Sequence, residues 1–171
     1  AQIESRAEEN SIGEESNSTT EPKDETESNE TLLIYYFLTV ISGKGGSASG
    51  GGNYLEGTIT RLSATPTKGY QFLNWTGDEV TNAHESSTTV TMDRNQSVTA
   101  NFVIQQKVLH LNAGLGGTVA GANTYDYGSE VNISALANAG YQFNNWTGDG
   151  VADVNASTTT VTMDQDRNLT A

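Results

Sequence analysis

The chain repeats itself at a fixed offset of 71 residues, and that period limits what it can fold into more than any single residue does. Gly69-Tyr70-Gln71-Phe72 and Asn74-Trp75-Thr76-Gly77-Asp78 return as Gly140-Tyr141-Gln142-Phe143 and Asn145-Trp146-Thr147-Gly148-Asp149. Thr89-Val90-Thr91-Met92-Asp93 returns as Thr160-Val161-Thr162-Met163-Asp164. Laid over 108–171 without a gap, residues 37–100 give 28 identical pairs in 64. A period free of insertions and deletions means one structural unit copied in tandem. The layout it implies is an acidic linker over 1–31, a first module over 32–104 and a second over 105–171. Each module, at about 70 residues, is near the lower limit for a self-sufficient core.

Composition narrows the means by which such small units hold together. There is no cysteine, so neither disulfides nor thiolate-bound metal can staple them, and the few aromatics must be well buried. Residues 1–30 carry 10 acidic and 2 basic side chains, with almost nothing apolar. Such a segment cannot bury enough surface to offset its ordering entropy and reads as a disordered spacer. The net charge of −13 and the lack of a basic stripe exclude nucleic acid and anionic lipid as natural partners. The longest apolar run, Leu32 to Ile41, is too short to span a bilayer. The opening Ala1-Gln2, and a final Ala171 that stops short of counterparts to Asn101 and Phe102, suggest a piece of a longer multidomain chain.

Within each unit the apolar period is two. Leu38 and Val40 flank Thr39, Leu109 and Leu111 flank His110, and Val98, Ala100 and Phe102 share one face. These are half-buried strands, with turns in the Gly-rich stretches and at Asp93-Arg94-Asn95 and Asp164-Gln165-Asp166. No window shows a helical stripe. The fold class expected is therefore all-β or mainly β, as two small tandem modules, β-grasp-like or β-sandwich-like. The short connection from Phe102 to Leu109 favours a semi-rigid rod over beads on a string. In Tyr70-x-Phe72-x-x-Trp75, strict alternation would send the indole away from the other rings, so a bend or bulge before it is expected.

Taken together, Leu-Thr-Val, the Gly-Gly turn, Tyr-x-x-Gly, Gly-Tyr-x-Phe-x-x-Trp-x-Gly-Asp, Thr-Val-Thr-Met-Asp and Val-Thr-Ala-Asn-Phe resemble the divergent internalin B-type B-repeat, or bacterial repeat domain. The resemblance covers about 36–171 as two copies. It implies non-catalytic extracellular modules of bacterial surface proteins or of secreted multidomain enzymes, with a small β-grasp-type fold. The crossover helix of that fold has no counterpart in the residue pattern here.

Candidate sites are few. Trp75 and Trp146, set beside Asn and Asp, suit either a sugar-stacking platform or the central core residue of a small module; the scarcity of large apolar side chains favours the core. Tyr54 and Tyr125, with Tyr127, are the other aromatics placed to touch a glycan. Asp78, Asp93, Asp149, Asp164 and Asp166 could serve calcium, but the turns lack the Gly and terminal Glu of an EF-hand loop, and a hairpin explains them. Gly43-Lys44-Gly45-Gly46 lacks the ending of a phosphate loop. His84 and His110 do not recur between units, and no nucleophile, base and oxyanion donor assemble.

The function expected is a non-catalytic extracellular spacer or stalk of a bacterial surface or secreted protein. It would hold no catalytic residue and no cofactor, and any partner would be a surface protein or glycan met by adhesion. The alternative is a carbohydrate-binding accessory module of a secreted polysaccharide-degrading enzyme. A further expectation is that the second module is the less stable, with a frayed final strand, because it lacks a counterpart to Phe102.

Overall fold

The computed structural model describes residues 32–171, so the expected acidic linker lies outside the described residues. Alternating β-branched and aromatic side chains produce strands throughout, and among the described residues there is no helix. The first module holds β1 (Tyr35–Ser42), β2 (Gly46–Ser49), β3 (Gly52–Leu55), β4 (Ile59–Pro66), β5 (Tyr70–Gly77), β6 (Ser87–Thr91) and β7 (Gln96–Ile104). They form a four-stranded sheet, β3-β1-β7-β5, and a three-stranded one, β2-β4-β6. All pairings are antiparallel except β1 with β7. Core residues come from both sheets: Leu38, Val98, Ala100 and Trp75 from one, Leu62, Ala64 and Val90 from the other. The arrangement is that of a small sandwich, and the stretch between β5 and β6 is a loop.

The second module holds β8 (Gln106–Asn112), β9 (Gly117–Ala120), β10 (Asn123–Asp126), β11 (Glu130–Ala137), β12 (Thr158–Thr162) and β13 (Arg167–Thr170). Its sheets are β10-β8-β13 and β12-β11-β9, with β8 parallel to β13. Strands β9, β10, β11 and β12 sit 71 residues after β2, β3, β4 and β6 to the residue. The sequence ends at Ala171, the counterpart of Ala100, so β13 has 4 residues where β7 has 9, and the counterpart of β5, with no equivalents of Phe102–Ile104 to pair with, makes only a bridge from Thr147 to Thr170. A second core nonetheless forms around Leu109, Ile133, Trp146, Val161, Met163 and Leu169.

Leu33–Ala171 is one compact unit, with a single residue, Gln105, between β7 and β8.

Candidate functional site

The repeated Tyr-x-Phe-x-x-Trp motif organises each module. In β5 the pairing with β7 shifts register between Phe72 and Asn74, leaving Leu73 as the extra residue of a bulge. The bulge turns Trp75 onto the core face, where the ring is 3 % exposed, while Leu73 points to solvent at 53 %. Phe72 packs on it with ring centroids 5.8 Å apart, and Phe143 meets Trp146 at 5.9 Å. Each indole also anchors the loop that follows it. The Trp75 backbone N–H donates to the Ala83 carbonyl at 2.7 Å, and its ring Nε1 donates to Glu85 at 3.0 Å. Trp146 repeats the clamp onto Val154 at 2.8 Å and Ala156 at 3.1 Å. With Trp146 only 1 % exposed, neither ring offers a face for a sugar. That corrects the stacking role considered for the two tryptophans: a single large apolar side chain has to fill the space between two short sheets.

Tyr54, Tyr125 and Tyr127 are half-buried. Tyr54 and Tyr125 pack against their cores and donate their hydroxyls to the Gly50 and Gly121 carbonyls at 2.7 and 2.8 Å. Both therefore brace the β2–β3 and β9–β10 turns.

The carboxylates act as turn locks. Gln96 is buried and donates Nε2 to the Thr91 carbonyl and to Asp93 Oδ1, closing the turn before β7. In the second module Arg167 does the same work, donating to the Thr162 carbonyl at 2.7 Å and pairing with Asp164. Asn95 and Asp166 each accept a backbone N–H from the first strand of their module, Phe37 and Val108 respectively, at 2.8 Å. Arg94 joins Asp93 at 3.0 Å to Asp78 at 3.2 Å, and Asp78 also accepts the Ser97 N–H at 2.7 Å. That backbone bond, then the guanidinium, holds the Asp78 carboxyl below its usual range. Among the described residues no three His, Asp or Glu side chains converge as a metal would need. His84 and His110 are exposed and lie in different modules.

The junction between modules is built around Gln105 and Lys68, which the sequence did not single out, together with Tyr127, which it offered as a glycan-touching aromatic. The Gln105 N–H donates to the Gly69 carbonyl and its own carbonyl accepts the Tyr127 N–H, both at 2.8 Å. Its side chain reaches the Tyr70 carbonyl at 3.1 Å. Tyr127 lies against Gly69, whose φ is +85°; a Cβ there would come within 2.3 Å of the ring. The Lys68 amine stands 6.0 Å from the Tyr127 ring centroid, and its pKa is raised, first by hydrogen bonding to Tyr127 and then by that group's charge. The signal available in the sequence was the mismatch at these positions: Gln105 and Tyr127 stand where the first module has Ile34 and Glu56.

Residues 36–106 and 108–171 each match the divergent InlB B-repeat domain, and the two segments cover most of the chain. The chain belongs to that family. Neither the curated proteins nor the solved structures gave a match. The B-repeat boundary at 107 falls one residue into β8, so the two B-repeats and the two sets of sheets divide the chain at nearly the same point.

An apolar cavity of about 250 Å³ opens on the second B-repeat, between Gly116-Gly117, Leu136-Ala137 and Tyr141–Phe143. A polar depression of about 300 Å³ lies on the first, between Glu79–Thr81 and the turn carrying Asp93, Arg94 and Gln96. Its Asp93 and Arg94 are already engaged with one another, as described above.

Proposed function

We propose that this tandem pair of B-repeats is a non-catalytic spacer of a bacterial surface or secreted protein, holding its neighbours at a set separation and, through them, serving adhesion. The observation that carries the reading is the junction. A one-residue connection hydrogen-bonded to both modules is what a spacer needs and what a flexible tether lacks. An adhesive contact, where there is one, would be with a surface protein or glycan. Burial of both tryptophans weighs against the alternative of a carbohydrate-binding accessory module, which would need exposed rings.

Residual dipolar couplings test the spacer reading directly. One alignment tensor should fit both 35–104 and 106–170, and inserting Gly-Ser-Gly-Ser after Gln105 should split it in two. Separate tensors in the unaltered chain would reduce the pair to independent beads and remove the argument for a spacer.

A further inference from the structure

The sheet β3-β1-β7-β5 has a second side, turned away from the core. On β1 Tyr35, Phe37 and Ile41 stand exposed on it, while Tyr36, Leu38 and Val40 pack inward. Residues paired across neighbouring strands share a side, so Leu55 joins Tyr35, Asn53 joins Phe37 and Thr99 joins Ile41. The Tyr35 and Phe37 rings are 55 % and 53 % exposed, and two residues of strand set their anchors about 7 Å apart.

The duplicate shows that the fold does not need these side chains. In the second module the same outward positions are Gln106, Val108, Asn112 and Asp126, 71 residues after Tyr35, Phe37, Ile41 and Leu55. β8 and β10 pair in the register of β1 and β3, and a core closes beneath them with polar groups outside. Exposed rings add nothing to the packing of the first module, so a contact outside it accounts for them.

Beyond the rings the face is polar without being charged. On β5 and β7, Asn101 donates Nδ2 to Asn74 Oδ1 at 3.1 Å and to Thr76 Oγ1 at 3.0 Å. Those bonds hold both amides in place and turn the Asn74 N–H groups and the Asn101 oxygen to whatever lies on the sheet. The outward positions of all four strands carry no charge, in a chain whose net charge is −13.

We propose that this face binds a neutral glycan, an uncharged polysaccharide laid flat along the sheet. The C–H faces of its sugar rings stack on Tyr35 and Phe37, and its hydroxyls meet the amides of Asn53, Asn74 and Asn101. A charge-free face on an acidic chain suits an uncharged partner, since a polyanion is repelled by the rest of the molecule and a polycation is drawn elsewhere on it. A second copy fits poorly. Half-exposed rings offer about 100 Å² each, so the apolar strip falls well short of the ~800 Å² per partner of a stable interface. Trp75 and Trp146, both buried, are no part of this face. The site goes beyond the spacer reading, which rests on the junction, and the two can fail separately.

The test titrates the isotope-labelled 171-residue chain with neutral hexasaccharides (cellohexaose, xylohexaose and mannohexaose) and with hexagalacturonate as the charged control. At least one neutral sugar should give saturable amide shifts confined to 35–41, 53–55, 74–76 and 97–101. Sugar C–H protons should show nuclear Overhauser contacts to the Tyr35 and Phe37 rings. Tyr35→Gln with Phe37→Val, the residues the second module carries there, should weaken that binding about tenfold or more and leave the Trp75 indole signal in place. The charged control should bind about tenfold or more weakly than the best neutral sugar. No shift with any neutral sugar, shifts centred on the second module, or binding unmoved by the double substitution would overturn the site, as would equal binding of hexagalacturonate. Concentration-dependent self-association abolished by the same two substitutions would give the face to a second copy of this chain, and the proposal would fall.

Discussion

The two modules build the same core with different amounts of sheet. The first has its tryptophan on a strand paired along its length with β7; the second has the same ring on a segment that forms no strand. Trp75 and Trp146 are nonetheless buried to within a few per cent of each other, and each meets its phenylalanine at nearly the same distance and tilt. What the two share is the clamp onto the following loop, an N–H and an indole Nε1 each bonded to a carbonyl of that loop. The comparison teaches that the ring is seated by its own loop and core, while the β5–β7 ladder closes an edge around a core already formed. Small modules divide these tasks because one large side chain can fill the space between sheets, whereas edge pairing concerns only the periphery.

The largest expected effect comes from removing the rings. Trp75→Ala and Trp146→Ala should each cost about 3–5 kcal/mol, as Trp-to-Ala truncations in cores do. If the loop clamp seats the ring, the two costs should agree within about 1 kcal/mol, read from chemical denaturation of chains carrying one substitution each. A cost at Trp146 below about 1 kcal/mol would break the comparison, because the ladder would then be what makes the indole count.

Next in size is removal of the aromatic at Phe102, a position whose counterpart lies past Ala171. Phe102 is half-buried, so Phe102→Ala should cost about 2–3 kcal/mol, under the range for a fully buried phenylalanine. It should open beside Gly46 a cavity like the one beside Gly117, and raise hydrogen exchange along Tyr70–Phe72 toward that of Tyr141–Phe143. Unchanged exchange at 70–72 would mean that backbone pairing alone, without the aromatic seat, holds β5.

How much of this was legible beforehand varies with the range of the interaction. The strands, the tandem division and the bulge before Trp75 were readable because alternation and repetition are local signals. The family resemblance was readable for the same reason. The stretch after Gly140 repeats β5 almost unchanged and stands unpaired because Phe102–Ile104, which pair with Tyr70–Phe72 in the first module, have no counterpart within residues 1–171. The junction was not readable. Gln105, Lys68 and Tyr127 are unremarkable singly and acquire meaning only when the turn at Gly69 is brought against the β10 end. The turn locks were read as hairpin residues without their donors, since Gln96 and Arg167 look unrelated until they are seen to reach equivalent carbonyls, those of Thr91 and Thr162.

That last pair supplies a smaller and more exacting test. Arg167 lies over Gly150, where φ is +85° and a Cβ would stand 2.2 Å from the guanidinium carbon; the first module pairs Gln96 with Glu79 at these places. Arg167→Gln should cost under about 1 kcal/mol, because the amide can repeat the bond that Gln96 makes to its turn carbonyl. Gly150→Ala should cost about 1–2 kcal/mol, part from the left-handed backbone and part from the collision. In the Arg167→Gln background the collision disappears and only the backbone part stays, so a double-mutant cycle should show coupling of about 0.5 kcal/mol or more. Strict additivity would mean that the arginine swings aside freely and the two positions are independent.

The smallest effect concerns acid. Asp78 accepts the Ser97 N–H and faces Arg94, and its carboxyl is held below the ordinary value of 3.8. A folded pKa below the unfolded one means the unfolded chain binds the proton more readily. Its stabilisation is therefore complete above the unfolded pKa and is lost as pH falls through the folded one. The counterpart, Asp149, stands in a module where Gln165 replaces Arg94, so the ion pair belongs to the first module. Asp78→Asn should accordingly flatten the stability profile of the first module below about pH 4 and leave that of the second unchanged. The step is small because the pair is largely exposed, and about 0.5 M salt should remove the part due to Arg94 while sparing the part due to the Ser97 N–H. Module-resolved denaturation across about pH 2 to 5 reads it. An acid limb equally steep with and without the carboxylate would show that the Ser97 bond aligns the loop without discriminating between the protonation states of Asp78.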